Sequence, residues 1–156
     1  MSQSTAANNA HPVLSPSPIQ AALRGLSDKL YEKRKTAALE VENVARAILR
    51  AGDRAKLDAL VSTLVNDFVA MPMPNHRKGG LIGLAAVTVA LAGTADSKLD
   101  DIVPPVLKCF TDTDQRVRYY AFEALYNIAK AARVAFVGHF PEVFDALCKL
   151  SADNDP

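Results

Sequence analysis

The feature that most constrains the fold is a pattern of small and large apolar residues that occurs three times along the chain. In residues 112–132 the apolar positions follow helical spacing, which predicts a helix with one buried face and Asp112 or Asp114 as its cap. The predicted core positions of this helix are Val117, Ala121, Phe122, Leu125, Ile128 and Ala132. Moving back by 41 residues, and then by a further 43, gives the same order of small and large side chains.

A period near 42 residues is typical of stacked two-helix repeats. The sequence therefore predicts an all-α fold, a HEAT- or armadillo-like α-solenoid of about three and a half helical hairpins over residues 16–156. Residues 1–15 are rich in Ser, Ala, Asn and Pro, and we expect a disordered tail there. The last residues correspond to the start of another second helix, so we expect the chain to be an N-terminal fragment of a longer array.

Several residues within the repeats carry specific structural expectations. Gly79, Gly80 and Gly83 lie early in the predicted fourth helix, where they indicate the close approach of a neighbouring helix. A phosphate-binding loop is disfavoured there, because no strand precedes these glycines and the Walker spacing is absent. Asn75 is a candidate cap for that helix. Cys109 and Cys148 lie in apolar helical patterns, which predicts two buried free thiols.

Composition and motifs argue against several classes of function. The net charge of +1 disfavours a nucleic-acid-binding protein, which would need a marked excess of Lys and Arg. The apolar run in residues 81–93 is too short for a bilayer span of about 20 residues. His76 and His139 form no zinc-binding pattern, and no catalytic motif is present. We therefore predict no catalytic residue, no metal and no cofactor.

One surface is a candidate for binding a partner. The second helices of such repeats usually line the concave side of the superhelix and carry an outward stripe of side chains. The predicted partner-binding residues are Lys78, Tyr119, Glu123, Tyr126 and Lys130. Tyrosines on an exposed face suit a protein partner, because they offer a large contact area at low entropic cost. For Ile82 and Val89 of the same stripe, packing between repeats is an equally good interpretation.

A second candidate is a basic patch near the start of the second helix. It consists of Lys29, Lys33, Arg34 and Lys35, and cations near an anionic membrane each contribute about 1 kcal/mol. The favoured alternative is a solvated helix end balanced by neighbouring acidic residues. Arg34 also shares its repeat position with Arg77 and Arg118, which favours a structural ladder with acidic groups of the preceding turn.

Three segments resemble one known family. They are residues 26–42, 76–86 and 117–133, which read LSDKLYEKRKTAALEVE, HRKGGLIGLAA and VRYYAFEALYNIAKAAR. They are similar to the N-terminal region of the Vac-type vacuole-morphology scaffold, a HEAT-repeat organiser of a lipid kinase and phosphatase complex. The resemblance extends over nearly the whole chain after residue 15.

The resemblance implies a non-catalytic scaffold on the cytoplasmic face of vacuole and late endosome membranes. Its implied partners are the phosphatidylinositol 3-phosphate 5-kinase, PIKfyve in animals, and a Sac-type phosphoinositide phosphatase bound through the full-length scaffold. Together they make and remove phosphatidylinositol 3,5-bisphosphate. Membrane association would be peripheral and through the complex. The alternative is a generic HEAT-repeat adaptor that binds a peptide or trafficking protein on its concave face.

Overall fold

The computed structural model describes residues 17–94 and 97–152, and this part of the chain forms seven α-helices and no β-strand. The helices are α1 (Pro18–Leu26), α2 (Tyr31–Arg50), α3 (Arg54–Thr63), α4 (Pro74–Leu91), α5 (Leu99–Lys108), α6 (Gln115–Ala132) and α7 (Phe140–Ala152). A π-helical segment, Leu64–Val69, extends α3, and 3₁₀ segments follow α5 and α6 at Cys109–Thr111 and Arg133–His139. The tail predicted over residues 1–15 and the acidic end at 153–155 lie outside the described residues.

Successive helices pair as hairpins. The second helices of three pairs, α2, α4 and α6, pack side by side. Helix α4 contacts both α2 and α6, and its other neighbours are α1, the π-helical segment and α5. Because α4 is enclosed in this way, it is apolar around most of its circumference, with Leu81, Leu84 and Val87 fully buried. This arrangement confirms the all-α solenoid that the repeat predicted.

Side-chain caps mark the start of α1, α3 and α6. Asp53 accepts a hydrogen bond from the backbone N–H of Lys56 at the start of α3, and Asp114 accepts two at the start of α6. Helix α4, like α2 and α5, has no side-chain cap, and Pro74 occupies its first turn. The predicted cap at Asn75 is wrong, because the helix begins one residue before it.

The three glycines of α4 are sites of close packing, as predicted. A Cβ atom on Gly80 would lie 2.8 Å from Cβ of Phe68, and one on Gly83 would lie 2.6 Å from a methyl group of Leu64. A Cβ atom on Gly79 would overlap the main-chain carbonyl of Leu26, the last residue of α1. The small side chains of α4 therefore let two neighbouring elements approach its backbone.

The three arginines at the shared repeat position are structural. Nη1 of Arg34, Arg77 and Arg118 donates in each case to the main-chain carbonyl six residues earlier, over 2.7, 3.0 and 2.9 Å. In these three bonds the acceptor is a main-chain carbonyl, where the repeat position predicted an acidic group of the preceding turn. The Arg77 guanidinium also pairs with the carboxylate of Asp112 in the following repeat, at 2.8 Å from Nε and 3.0 Å from Nη2. Each arginine therefore stabilises the turn before its helix through a hydrogen bond to a main-chain carbonyl of that turn.

Two predictions about the later helices are wrong. Phe122 is 51% exposed, because its ring packs against Phe110 on one side, at 6.3 Å between centroids, and faces solvent on the other. Cys148 is exposed on α7, whereas Cys109 is buried as predicted. Helix α7 buries only Val143 fully, so the apolar pattern of this last helix does not mark a fully covered face.

Candidate functional site

The predicted outward face of α6 is exposed in the structure. The side chains of Tyr119 and Tyr126 are 68% and 61% exposed, and Glu123 and Lys130 lie at the surface one helical turn from them. We refer to these four residues as the tyrosine stripe. Two large aromatic side chains left at the surface of one helix form an apolar contact area bordered by a carboxylate and an ammonium group.

A groove runs beside the tyrosine stripe, over α4 and between α2 and α6. It is lined by Tyr31 and Lys35 of α2, Ile82 and Ala85 of α4, and Glu123 and Asn127 of α6. Asn127 also lines a second hollow with Val89 and Lys130, so the groove continues along α6 toward its C-terminal end. Exposed polar residues of α2 and α6 stand at the edges of the groove, and the less exposed Ile82 and Ala85 of α4 form its base.

Lys78 does not belong to the exposed stripe, and its assignment to that surface is corrected. Only 7% of the residue is exposed, because α4 is the middle helix and α2 and α6 cover both of its sides. Its Nζ atom lies 5.9 Å from the ring centroid of Tyr120. Burial is the main cause that lowers the pKa of Lys78 below its usual value, and the nearby charge of Arg34 lowers it further.

The predicted basic patch is not one surface. Arg34 is only 4% exposed and donates to the hydroxyl of Tyr120 over 2.7 Å, so it is unavailable to a membrane. Lys35 lines the groove, while Lys33 pairs with Asp28 and lies beside a hollow between α1 and α2. Lys29 is exposed in the turn before α2, near the start of α4. Consecutive helical residues point in directions about 100° apart, which explains the separation.

Tyr31 and Tyr120 are the members of this surface that the sequence pattern missed. The Tyr31 and Tyr120 rings meet edge to face, with centroids 6.5 Å apart, and both receive the Arg34 guanidinium within about 6 Å. The adjacent tyrosines at positions 119 and 120 were a sequence signal that could have indicated Tyr120 as part of this surface. The bond from Arg34 to Tyr120 joins residues 86 positions apart, and no local spacing predicts it.

The described residues present little reactive chemistry. Burial raises the pKa of the Cys109 thiol to about 11, so this cysteine stays protonated and unreactive at neutral pH. Across residues 17–94 and 97–152, no group of three or more His, Cys, Asp or Glu side chains could hold a metal ion. Nor does any helix in those ranges have the length and apolar character needed to cross a bilayer.

The fold and this surface place the chain in the class of helical-repeat proteins of the solenoid type. Within that class, the chain belongs to the Vac14 family: the model of the vacuolar 14 Fab1-binding region matches residues 75–156, which is more than half of the chain. The matched part begins at the start of α4 and includes the whole tyrosine stripe. The resemblance read from the sequence is thereby confirmed.

Curated relatives match a larger part of the chain. It is 58% identical over 132 residues to the protein VAC14 homolog of Arabidopsis thaliana, which is 85% of this chain and 18% of that protein. Over 85% of the chain it is 48% identical to the VAC14 homolog of Schizosaccharomyces pombe and 47% identical to the vacuole morphology and inheritance protein 14 of Saccharomyces cerevisiae. The chain spans less than a fifth of the length of these relatives. No solved structure matches it.

Proposed function

We propose that this chain is the kinase-binding segment of a non-catalytic scaffold, and that it holds a Fab1-type phosphatidylinositol 3-phosphate 5-kinase against the groove and the tyrosine stripe. The observation that carries the proposal is that the Fab1-binding family model matches residues 75–156, which contain all four residues of the stripe. The exposed tyrosines supply the physical reason for choosing this face over the others.

Tyr119 and Tyr126 have the properties of binding hot spots. Each exposes most of a large, rigid side chain, and truncating such a ring to alanine costs about 2 kcal/mol of binding free energy where it is a hot spot. Glu123 and Lys130 lie beside the tyrosines and supply a polar rim that fixes the orientation of the partner. The groove over Ile82 and Ala85 gives an adjacent apolar floor for a segment of the kinase.

The wider role follows from the family rather than from this segment alone. A scaffold that holds the kinase, and a Sac-type phosphatase elsewhere along its length, raises their effective concentration for one another and for one patch of membrane. We infer that it thereby regulates phosphatidylinositol 3,5-bisphosphate on the cytoplasmic face of vacuoles and late endosomes. Lys29, Lys33 and Lys35 diverge, which supports membrane association through the complex rather than through a patch of this chain.

The test is a binding titration of the chain against candidate contact regions of the kinase, with phosphoinositide vesicles titrated in parallel. Wild type should bind one kinase region saturably. The double variant Tyr119→Ala with Tyr126→Ala should bind at least tenfold more weakly while its melting temperature stays within about 2 °C, because exposed side chains contribute little to the fold. The matched control is Phe144→Ala, which removes an exposed aromatic ring from α7.

The control variant should bind as wild type does. Loss of binding in Phe144→Ala but not in the tyrosine variant would show that the interface lies on α7 and not on the tyrosine stripe. Binding to vesicles without binding to any kinase region would contradict the proposed partner and favour a membrane-docking role.

A further inference from the structure

A cavity opens at the N-terminal ends of α4 and α6, next to the groove. Side chains from three parts of the chain line it: Lys29 before α2, His76 and Lys78 of α4, and Arg116 of α6. Asp114 contributes a carboxylate to the same lining. Three cationic groups therefore face one anionic group, and the local charge is positive.

Lys78 brings a largely buried charge to this cavity. The residue is more than nine-tenths buried, and within the described part of the chain its Nζ atom forms no hydrogen bond or ion pair. Nζ lies over the face of the Tyr120 ring, and while burial lowers the pKa of Lys78, the nearby Asp114 carboxylate raises it by a smaller amount. A second carboxylate in contact with this ammonium group would offset more of the cost of its burial. Nδ1 of His76 is likewise buried without a hydrogen bond to any described residue.

The Asp114 carboxylate attracts Lys78 but forms no hydrogen bond or ion pair with it. Asp114 uses one carboxylate oxygen to cap α6, accepting from the N–H groups of Arg116 and Val117 over 2.8 and 3.2 Å. At the start of α4 no side chain caps the first turn, since the cap position is occupied by Met73. The positive end of that helix dipole therefore adds to the charge of Lys78 rather than being neutralised by a cap.

Tyr120 connects this cavity to the groove. One face of its ring receives Lys78, while the ring also lines the groove and meets Tyr119 edge to face at 6.3 Å. Lys78, Tyr120 and Tyr119 are thus in successive contact, from the cavity to the tyrosine stripe.

We propose that the cavity receives the carboxylate of a glutamate or aspartate on the protein segment that occupies the groove, with Lys78 as its buried counter-charge. Lys29 and Arg116 stand at the rim, where they steer the acidic side chain inward. The proposal rests on the proposed function only in taking that segment to belong to the kinase. A carboxylate suits the site better than a phosphate, because the buried end of the lining offers the single ammonium group of Lys78, while its one guanidinium, that of Arg116, is exposed.

The first experiment follows the NMR signal of the Lys78 side chain in the whole 156-residue chain. The probes are a short apolar peptide with one central glutamate, the same peptide with glutamine, inorganic phosphate, and vesicles containing phosphatidylinositol 3-phosphate. The glutamate peptide should shift the Lys78 signal and raise its pKa, because a nearby carboxylate favours the charged ammonium. The glutamine peptide should do neither. A response to phosphate or vesicles in place of the glutamate peptide would overturn the assignment.

The second experiment uses Lys78→Met, which keeps the length and volume of the side chain and removes its charge. Affinity for the kinase region should fall at least tenfold, while the melting temperature of the free chain should stay equal or rise, because a buried charge that forms no ion pair is lost. The control is Lys149→Met on α7, where an exposed lysine pairs with Asp145 and should be dispensable for binding. A lowered melting temperature in Lys78→Met would show that the lysine only supports the fold.

The two proposals fail in different ways. If the kinase region binds wild type and Lys78→Met equally well, the proposed function stands and the carboxylate site is wrong. If the glutamate peptide moves the Lys78 signal but no kinase region binds, the site stands and the proposed partner is wrong.

Discussion

Gly79 shows how a single residue fixes the distance between two helices. The end of α1 lies so close to α4 that a Cβ atom at this position would overlap the carbonyl of Leu26. Main-chain atoms at a helix end cannot rotate away as a flexible side chain can. The missing side chain of Gly79 is therefore required by the packing, and it offsets the lower helix propensity of glycine, which is about 1 kcal/mol.

We expect Gly79→Ala to lower the free energy of unfolding by roughly 3 kcal/mol, because α1 must move away from α4. The matched control is Gly138→Ala, since nothing lies within 4 Å of a Cβ atom there. That variant should be neutral or slightly stabilising through the unfolded state. Urea unfolding of both variants measures the difference. Equal stability of the two would mean that α1 and α4 are not held as closely as the structure indicates.

Between elements, Asp112 joins two successive repeats. It lies between α5 and α6, its carboxylate pairs with Arg77 of α4, and one oxygen accepts from the N–H of Asp114 over 2.9 Å. Its carbonyl also accepts from Arg118. The Arg77 and Asp112 side chains are only 13% and 11% exposed, so solvent screens this pair weakly.

Removing this carboxylate should therefore be costly. We expect Asp112→Ala to lower the free energy of unfolding by about 3 kcal/mol, because the guanidinium of Arg77 is left buried without its counter-charge. Asp145→Ala is the comparison, because it breaks an ion pair with Lys149 whose side chains are 70% and 64% exposed. Its effect should stay below about 1 kcal/mol. Similar losses in both variants, measured by thermal unfolding, would show that the link between repeats does not depend on this pair.

The sequence predicted helices better than it predicted which of their faces are covered. The apolar period located α2 and α6 to within one to three residues, because propensity, caps and core spacing all act locally. Lys78 and Tyr119 occupy equivalent repeat positions, yet one is buried and the other is exposed. The difference arises because α4 has a neighbour on each side, whereas none of the elements within residues 17–94 and 97–152 covers the tyrosine face of α6. A repeat alignment predicts the direction in which a side chain leaves its helix, but it does not predict which elements pack against that side chain.

The candidate site was predictable to the same extent. Tyr119, Glu123, Tyr126 and Lys130 could be placed on one face from helical spacing alone. The groove could not, since it is formed by residues of three helices brought together by packing. The contact of Arg34 with Tyr120 was missed for a related reason, because this bond spans two repeats.

For the molecule as a whole, the stack has a well-connected centre and a weakly held end. Helix α4 contacts most of the other elements, whereas α7 contacts only the 3₁₀ segments that follow α5 and α6 among the stronger contacts between elements. In a solenoid each repeat is stabilised mainly by its neighbours, so stability should decrease from α4 toward α7.

Native-state hydrogen exchange tests this gradient. The amides of Phe140–Ala152 should exchange first and those of Pro74–Leu91 last. Leu84→Ala should accelerate exchange in all helices, because it opens a cavity in the central helix at a cost of about 2 to 5 kcal/mol. Val143→Ala removes the one fully buried side chain of α7 and should accelerate exchange in that helix alone. If Val143→Ala instead accelerated exchange in α4, the chain would unfold as one cooperative unit, and the kinase-binding face of α6 would depend on the packing of α7.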